Sequence, residues 1–140
     1  MRNSRRLLLL ALGLAGCNQR GTSPEPEESA STSVVGTWQL TALDGNRPTG
    51  TPLPNQRLTL DANQQLQFYT DDKLTASGTY SLAQGSACGT TPSTEPLLRV
   101  ALATPNSYAP AGNYTLSGNT LVIDQCLAAD GPRYTFRRLR

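Results

Sequence analysis

Few residues in this chain have side chains that could take part in catalysis. The 140 residues contain no histidine and one lysine, Lys73, so the serines lack a general base of the usual kind. Two pairs of acids have the chemistry for glycoside hydrolysis, but Asp71 and Asp72 lie at a predicted turn, and Asp124 and Asp130 flank a predicted loop. No glycine-rich loop opens a predicted helix, as phosphate binding requires. The sequence therefore predicts a protein that is not an enzyme.

Cys17 ends the most distinctive segment of the chain, Leu14-Ala15-Gly16-Cys17. A short apolar stretch, Leu7 to Leu14, precedes it, and positive charges precede that stretch at Arg2, Arg5 and Arg6. Basic, apolar and small-residue regions in this order are typical of a secretory signal peptide. The apolar stretch has about half of the roughly 18 residues that a membrane-spanning helix requires. We therefore expect it to be cleaved off and not to remain as an anchor.

The same segment resembles the lipobox of bacterial lipoprotein precursors. The resemblance implies that residues 1–16 are removed and that acyl chains on Cys17 bind the protein to a membrane. It also implies a place in the bacterial cell envelope, which we expect to be the periplasmic or surface face of the outer membrane. Residues 17–33 contain prolines, glutamates and a Ser/Ala/Thr run without apolar periodicity. We predict that they form a disordered tether.

Removal of the leader changes the net charge of the protein. Three of the 12 Lys and Arg residues lie within residues 1–16, so nine remain against ten acids and the net charge becomes −1. A nucleic-acid-binding surface requires a clustered basic face. Alternation along a strand would divide the arginines near the C-terminus between two faces: Arg133, Arg137, Arg138 and Arg140. The composition therefore argues against a nucleic-acid partner.

Cys88 and Cys126 are the cysteines that remain once Cys17 is assigned to lipid attachment. In a protein bound for an oxidising compartment, one disulfide between them is the natural pairing. The loop that it closes spans 38 residues, which the chain-entropy model values at about 4 kcal/mol. A zinc site would require three or four ligands, and histidine is absent from the sequence. We therefore predict a disulfide, and neither a metal nor a cofactor.

Residues 34–140, the predicted folded domain, carry the pattern of an all-β protein. Short runs of alternating apolar and polar residues are separated by Gly, Asn, Asp and Pro clusters. The pattern predicts about eight antiparallel strands in a meander that closes into a small up-and-down barrel, because closure removes the sheet edges. These residues or ranges mark the predicted strands: Trp38, Leu40 and Ala42; Leu58 and Leu60; Leu66 and Phe68; Leu74, Ala76, Gly78, Tyr80 and Leu82; Leu97–Leu102; Tyr114–Leu116 paired with Leu121–Ile123; and Tyr134, Phe136 and Arg138.

Four short motifs resemble those of small bacterial lipocalin-like lipoproteins. They are Val35 to Trp38, Ser77 to Tyr80, Ala87 to Gly89, and the closing Tyr134 to Leu139. The resemblance covers residues 34–140 and implies a lipocalin-like barrel. The chain is shorter than typical lipocalins and lacks the Thr-Asp-Tyr motif of their later loop. A competing small β fold, the heat-shock-type envelope domain, also opens with Trp-x-Leu, but its Gly-Cys-Asn signature is missing here.

Gly36, Trp38 and Arg138 are the residues expected to close one end of the barrel. A glycine lets the chain enter the barrel closely, and the indole of Trp38 can plug that end. Alternation places Arg138 on the same face as Tyr134 and Phe136, where it can stack on the indole. Such a contact is worth about 0.5–2 kcal/mol.

Two classes of function remain for a monomeric barrel of this kind. In the first, a pocket for a small hydrophobic ligand is lined by five aromatic residues: Phe68, Tyr80, Tyr114, Tyr134 and Phe136. In the second, these residues fill the interior, and the protein acts as a structural, interaction or inhibitor module through its loops: Arg47 to Asn55, Gln84 to Glu95 and Pro105 to Asn113. The short body and its eight aromatic residues favour a filled interior.

Overall fold

Eight antiparallel strands form a closed up-and-down barrel in which each strand pairs with its sequence neighbours and β8 pairs with β1. The computed structural model describes residues 32–45, 47–89 and 92–140. A short 3-10 helix, Leu127–Ala129, lies between the last two strands. The strands are β1 Gly36–Asp44, β2 Gln56–Leu60, β3 Gln65–Thr70, β4 Lys73–Gln84, β5 Pro96–Leu102, β6 Gly112–Ser117, β7 Thr120–Asp124 and β8 Arg133–Arg138. The predicted fold class is confirmed.

Alternation along the strands divides the barrel into an apolar interior and a polar outer wall. Residues paired across neighbouring strands lie on the same face, so the pairs Leu58–Phe68 and Leu121–Phe136 both point inward. The side chains of the core are almost all aliphatic or aromatic: Val34, Trp38, Leu40, Leu58, Leu60, Leu66, Phe68, Ala76, Tyr80, Leu98, Ala109, Leu121, Ile123, Tyr134 and Phe136. The interior is therefore the hydrophobic core of the domain.

Two β-bulges change which residues of β1 and β4 face the interior, and the predicted orientations of Ala42 and Leu74 are therefore wrong. Thr41 is the extra residue of β1, so Leu43 in place of Ala42 follows Leu40 on the inner face and packs against the core. Thr75 is the extra residue of β4, so Leu74 pairs with the outward-facing Tyr69. A bulge shifts the alternation of inward and outward side chains by one residue, and the sequence pattern of a single strand does not reveal that shift.

Each bulge is stabilised by a hydrogen bond from its threonine hydroxyl to a backbone carbonyl, and each one turns outward a side chain that the sequence predicts to face inward. The hydroxyl of Thr41 donates to the carbonyl of Thr135 at 3.1 Å, and that of Thr75 donates to the carbonyl of Phe68 at 3.1 Å. As a result Leu74 is 53% exposed. Leu82, near the other end of β4, is also exposed although its cross-strand partner Leu98 is buried. The predicted half-buried strand is therefore half-buried only in its middle.

The seam between β5 and β6 has the shortest register of the barrel, with two paired positions. The side chain of Asn113 spans it: its Nδ2 donates to the carbonyl of Gly85 at 2.7 Å, and its Oδ1 accepts from the N–H of Ala87 at 2.7 Å. The predicted disulfide, Cys88–Cys126, is confirmed and joins the β4–β5 loop to the β7–β8 loop. A side-chain clamp and a covalent bond thus flank the shortest seam.

The leader and the lipid-attachment residue lie outside this description. Residues 1–31, which include Cys17 and nearly all of the predicted tether, are not among the described residues. Within the described ranges, none of the helices is long and apolar enough to cross a membrane.

Candidate functional site

The three residues predicted to close the barrel come together at one end, which we call the closed end. Arg138 pairs with Trp38 across β1 and β8, and its Cζ atom lies 4.1 Å from the centroid of the indole ring. Trp38 has no exposed surface, and its Nε1–H donates to the carbonyl of Val34 at 2.9 Å. Val34 is itself buried, so the chain that leads into β1 covers this end of the barrel.

Arg138 fixes the segment that precedes β1. Its Nη1 donates to the carbonyl of Val35 and its Nη2 donates to the carbonyl of Ser33, each at 2.6 Å. Its buried Nε has no hydrogen-bond partner among the described residues, and the indole of Trp38 stabilises the charge together with the two carbonyls. Gly36 has a φ of 151°, and a Cβ at this position would collide with the guanidinium. These contacts explain why a glycine and an arginine occupy the two positions.

The interior offers no open space beside its largest side chains. Phe136 and Trp38 are 0% exposed, and Phe68 is 2% exposed. Side chains with no accessible surface cannot border a space that holds even one water molecule, whether it opens outward or is enclosed. All five predicted ligand-lining aromatic residues point inward, but four of them are core residues: Phe68, Tyr80, Tyr134 and Phe136. The fifth, Tyr114, is partly buried and packs against that core.

The buried tyrosine hydroxyls already have protein partners. Tyr80 donates from its hydroxyl to the carbonyl of Asp61 at 2.7 Å. Burial, with the negative charge of Asp61 as a smaller cause, raises the pKa of Tyr80. The hydroxyls of Tyr134 and Tyr108 lie 2.7 Å apart and share a hydrogen bond. The polar atoms of these rings therefore stabilise the fold and do not await a ligand.

Tyr108 covers the other end of the barrel, which we call the capped end. It belongs to the loop after β5, and its ring meets that of Phe68 edge-on at 6.5 Å and that of Tyr134 at 6.4 Å. Tyr134 in turn stacks on Phe136, at 6.0 Å and an interplanar angle of 10°. Burial, followed by the hydrogen bond with Tyr134, raises the pKa of Tyr108 well above its usual range.

Sequence reasoning missed this cap because Tyr108 lies in a loop without strand periodicity. The hydroxyl of Tyr108 also donates to Oε1 of Gln125, so the cap is linked to the loop after β7. A signal was present in the sequence: Tyr108 is followed by Ala109 and Pro110, and both are buried. An apolar triplet within an otherwise polar loop indicates that the loop folds back onto the core.

The capped end also carries exposed apolar side chains. In an up-and-down barrel the connections alternate between the ends, so the β1–β2, β3–β4, β5–β6 and β7–β8 connections share this end. Five large hydrophobic residues are exposed in the described part of the chain, and three belong to these connections or to the first residues after them: Leu53, Leu74 and Tyr108. The loop of Leu53 is ordered by Arg47, whose Nη2 donates to the carbonyl of Pro52 at 2.8 Å.

Of the four carboxylates considered for catalysis, those of Asp124 and Asp72 are engaged in ion pairs. Asp124 accepts from Nη2 of Arg133 at 2.6 Å and from the N–H of Leu127 at 2.7 Å. Burial acts to raise the pKa of Asp124, but these hydrogen bonds outweigh it and hold that pKa below its ordinary value. Asp71 and Asp72 form the β3–β4 turn with φ values of 51° and 61°, and Asp72 pairs with Arg57 at 3.1 Å. Across the described ranges, no three acidic or cysteine side chains gather as a metal site would require.

Two grooves lie on the barrel surface, and Tyr80 is the one predicted ligand-lining residue that contributes to them. They have volumes of about 570 Å3 and about 300 Å3 and are formed mainly by β3, β4 and β5. Most of their lining residues, such as Gln67, Ser77 and Thr79, alternate with the core residues and therefore belong to the outer wall.

Comparisons of the chain with protein-family models, curated proteins and solved structures found no match. The geometry described above is therefore the basis on which a function can be argued. It combines a closed end, a filled interior, a capped end with exposed apolar side chains, and a polar outer wall.

Proposed function

We propose that this protein is a lipid-anchored lipoprotein of the bacterial envelope whose filled lipocalin-like barrel acts as a protein-interaction module. The observation that carries the proposal is the burial of Trp38 at the closed end and of Phe68 and Phe136 in the barrel interior. A barrel that transports a small hydrophobic molecule requires a cavity of a few hundred Å3 among such side chains. The packing here supports the interaction module and not the internal ligand.

The capped end is the surface that supports an interaction with another protein. Its exposed Leu53, Leu74 and Tyr108 supply apolar area, and aromatic residues such as Tyr108 are enriched at the centres of protein interfaces. The loop after β7 is held by the Cys88–Cys126 disulfide and by the pair Asp124–Arg133. Loops that are rigid before binding lose little conformational entropy when a partner docks.

The lipid anchor can be tested by replacing the residue that would carry it. Cys17→Ser removes the thiol that lipidation requires, and we expect the protein to move from the membrane fraction to the soluble fraction or to remain as an uncleaved precursor. Cells expressing the wild type and the variant would be fractionated, and each chain would be weighed by mass spectrometry. Cys88→Ser is the control, because it also replaces a cysteine with serine, and breaks the disulfide, but leaves the lipobox intact. A wild-type chain that carries no acyl chains would contradict the anchor.

The interaction can be tested with a photo-crosslinking amino acid placed at the capped end. With the crosslinker at Leu53, we expect an adduct of defined polypeptide mass in intact cells. The matched control places it at Thr115, an exposed residue on the outer face of β6. Adducts of equal yield at both positions, or none at Leu53, would contradict a docking surface at the capped end. Adducts with the mass of a small hydrophobic molecule would favour the ligand-binding alternative.

A further inference from the structure

The two grooves of the outer wall are adjacent to each other. The larger, of about 570 Å3, and the smaller, of about 300 Å3, share Thr79 and Ala101. We call the pair the outer trough. Each part has the size of a small-molecule site or somewhat less, so their sum suits an elongated ligand. The trough lies on the wall of the barrel and is formed mainly by strands, with Ala103 from the start of the β5–β6 connection.

Small residues on neighbouring strands create the trough. A Cβ at Gly78 would collide with the carbonyl oxygen of Ala101, so this position of β4 requires a glycine. Ser77 and Ala103 add two more small side chains to the lining. Longer side chains come from the flanking positions, where Gln65 is paired with Thr79 on β4. The hollow therefore follows from residue size on a paired sheet.

A row of three hydroxyl groups runs along the trough on β4. Ser77, Thr79 and Ser81 are alternate residues of the strand and share its outer face, about 6.7 Å from one to the next. Their hydroxyls make no hydrogen bond to any other described residue. Three free donor-acceptor groups at equal spacing match a ligand that repeats a polar unit.

The charges and side-chain types of the trough indicate what that ligand is. Its lining contains Asp61 and Arg99, whose charges offset each other, and planar amides from Gln64, Gln65 and Gln67. Planar amide, carboxylate and guanidinium groups can donate to or accept from two adjacent hydroxyls at once. A charged ligand would meet no net opposite charge. An extended peptide could not add as a strand along β4, because this strand is paired on both sides.

We propose that the outer trough binds an uncharged oligosaccharide. The ligand lies along the Ser77–Thr79–Ser81 row and exchanges hydrogen bonds with the hydroxyls of β4 and the flanking amides. Such a site relies on hydrogen bonds that replace those with water, so each one contributes little net free energy. The expected affinity is weak, with a dissociation constant of about 1 mM. The site goes beyond the proposed interaction of the capped end and does not depend on it.

The test is a calorimetric titration of the mature chain with chitotetraose and with cellotetraose, two uncharged oligosaccharides. The protein would be held in a zwitterionic detergent, because a detergent with a sugar headgroup would compete. We expect at least one of the two to bind, and Thr79→Trp to weaken binding at least tenfold by filling the trough. Thr115→Trp is the matched control, since Thr115 is also an exposed strand threonine but lies on β6.

Each outcome decides the proposal. Equal thermal midpoints for the two tryptophan variants would show that both are folded. Absence of binding by both sugars at about ten times the expected dissociation constant would overturn the oligosaccharide site. Binding that Thr79→Trp and Thr115→Trp leave equally strong would also overturn it, because the sugar would then bind elsewhere. Neither result would affect crosslinking at Leu53, so failure of this inference is distinguishable from failure of the proposed function.

Discussion

Replacing Trp38 with alanine is expected to lower the free energy of unfolding by about 3–5 kcal/mol. The indole is fully buried at the closed end, so its loss leaves a cavity that the paired strands cannot easily collapse to fill. The change also leaves the guanidinium of Arg138 without the ring that lies 4.1 Å from it. Urea unfolding of the wild type and the variant, followed by circular dichroism, would give the difference.

A second cation–π pair on the same barrel supplies the control for this prediction. Arg57 lies 4.6 Å from the ring centroid of Tyr69 on the outer wall, where both side chains contact solvent. Tyr69→Ala removes the same kind of contact without opening a buried cavity, and we expect it to cost at most about 1 kcal/mol. Equal losses for the two variants would show that the closed end is not a plug of the core.

Removing the disulfide is expected to cost about 4 kcal/mol of stability. The bond joins residues 38 positions apart, and without it the unfolded chain regains the conformational entropy of that loop. For a domain of this size that amount is a large share of the total free energy of unfolding. The double variant Cys88→Ser/Cys126→Ser would be compared with the wild type by urea unfolding under oxidising conditions.

Reduction of the wild-type protein is the matched control for the double variant. Both lose the same covalent bond, but the reduced protein keeps its cysteine side chains, so we expect the two to unfold at similar urea concentrations. If reduction leaves the stability of the wild type unchanged, the entropic account of the disulfide is wrong. If the double variant is much less stable than the reduced protein, packing of the buried Cys126 supplies the difference.

The fold could be predicted because its strands are short, regular and separated by strong turn residues. The sequence predicts turns at Asp71-Asp72 and Ser117-Gly118-Asn119, and the structure has a β3–β4 turn and a β6–β7 hairpin there. Alternation also placed Arg138 beside Trp38, since one periodic strand pattern determines which residues share a face. The prediction failed at Ala42 and Leu74, because one extra residue in a strand reverses the alternation from that point onward.

The candidate sites were only partly accessible from the sequence. The aromatic residues Phe68 and Phe136 were predicted to face inward, but whether they line a cavity or fill it depends on how eight strands pack around them. Tyr108 was missed because a loop has no periodicity from which a contact with Tyr134 could be inferred. The outer trough was missed as well, since its lining comes from residues that are distant along the chain.

The sequence by itself determined the fold class, the disulfide partners and the residues of the closed end. These properties depend on local patterns, on parity along a strand, or on the small number of cysteines, and each can be read without knowing the neighbours in space. Only the tertiary structure decided that the interior is filled, that Tyr108 caps the barrel and that small residues on β4 and β5 leave a polar trough. The volume of the interior, the closure of the barrel and the shape of its surface each depend on many residues that are distant along the chain and close in space. No single segment of the sequence therefore determines them.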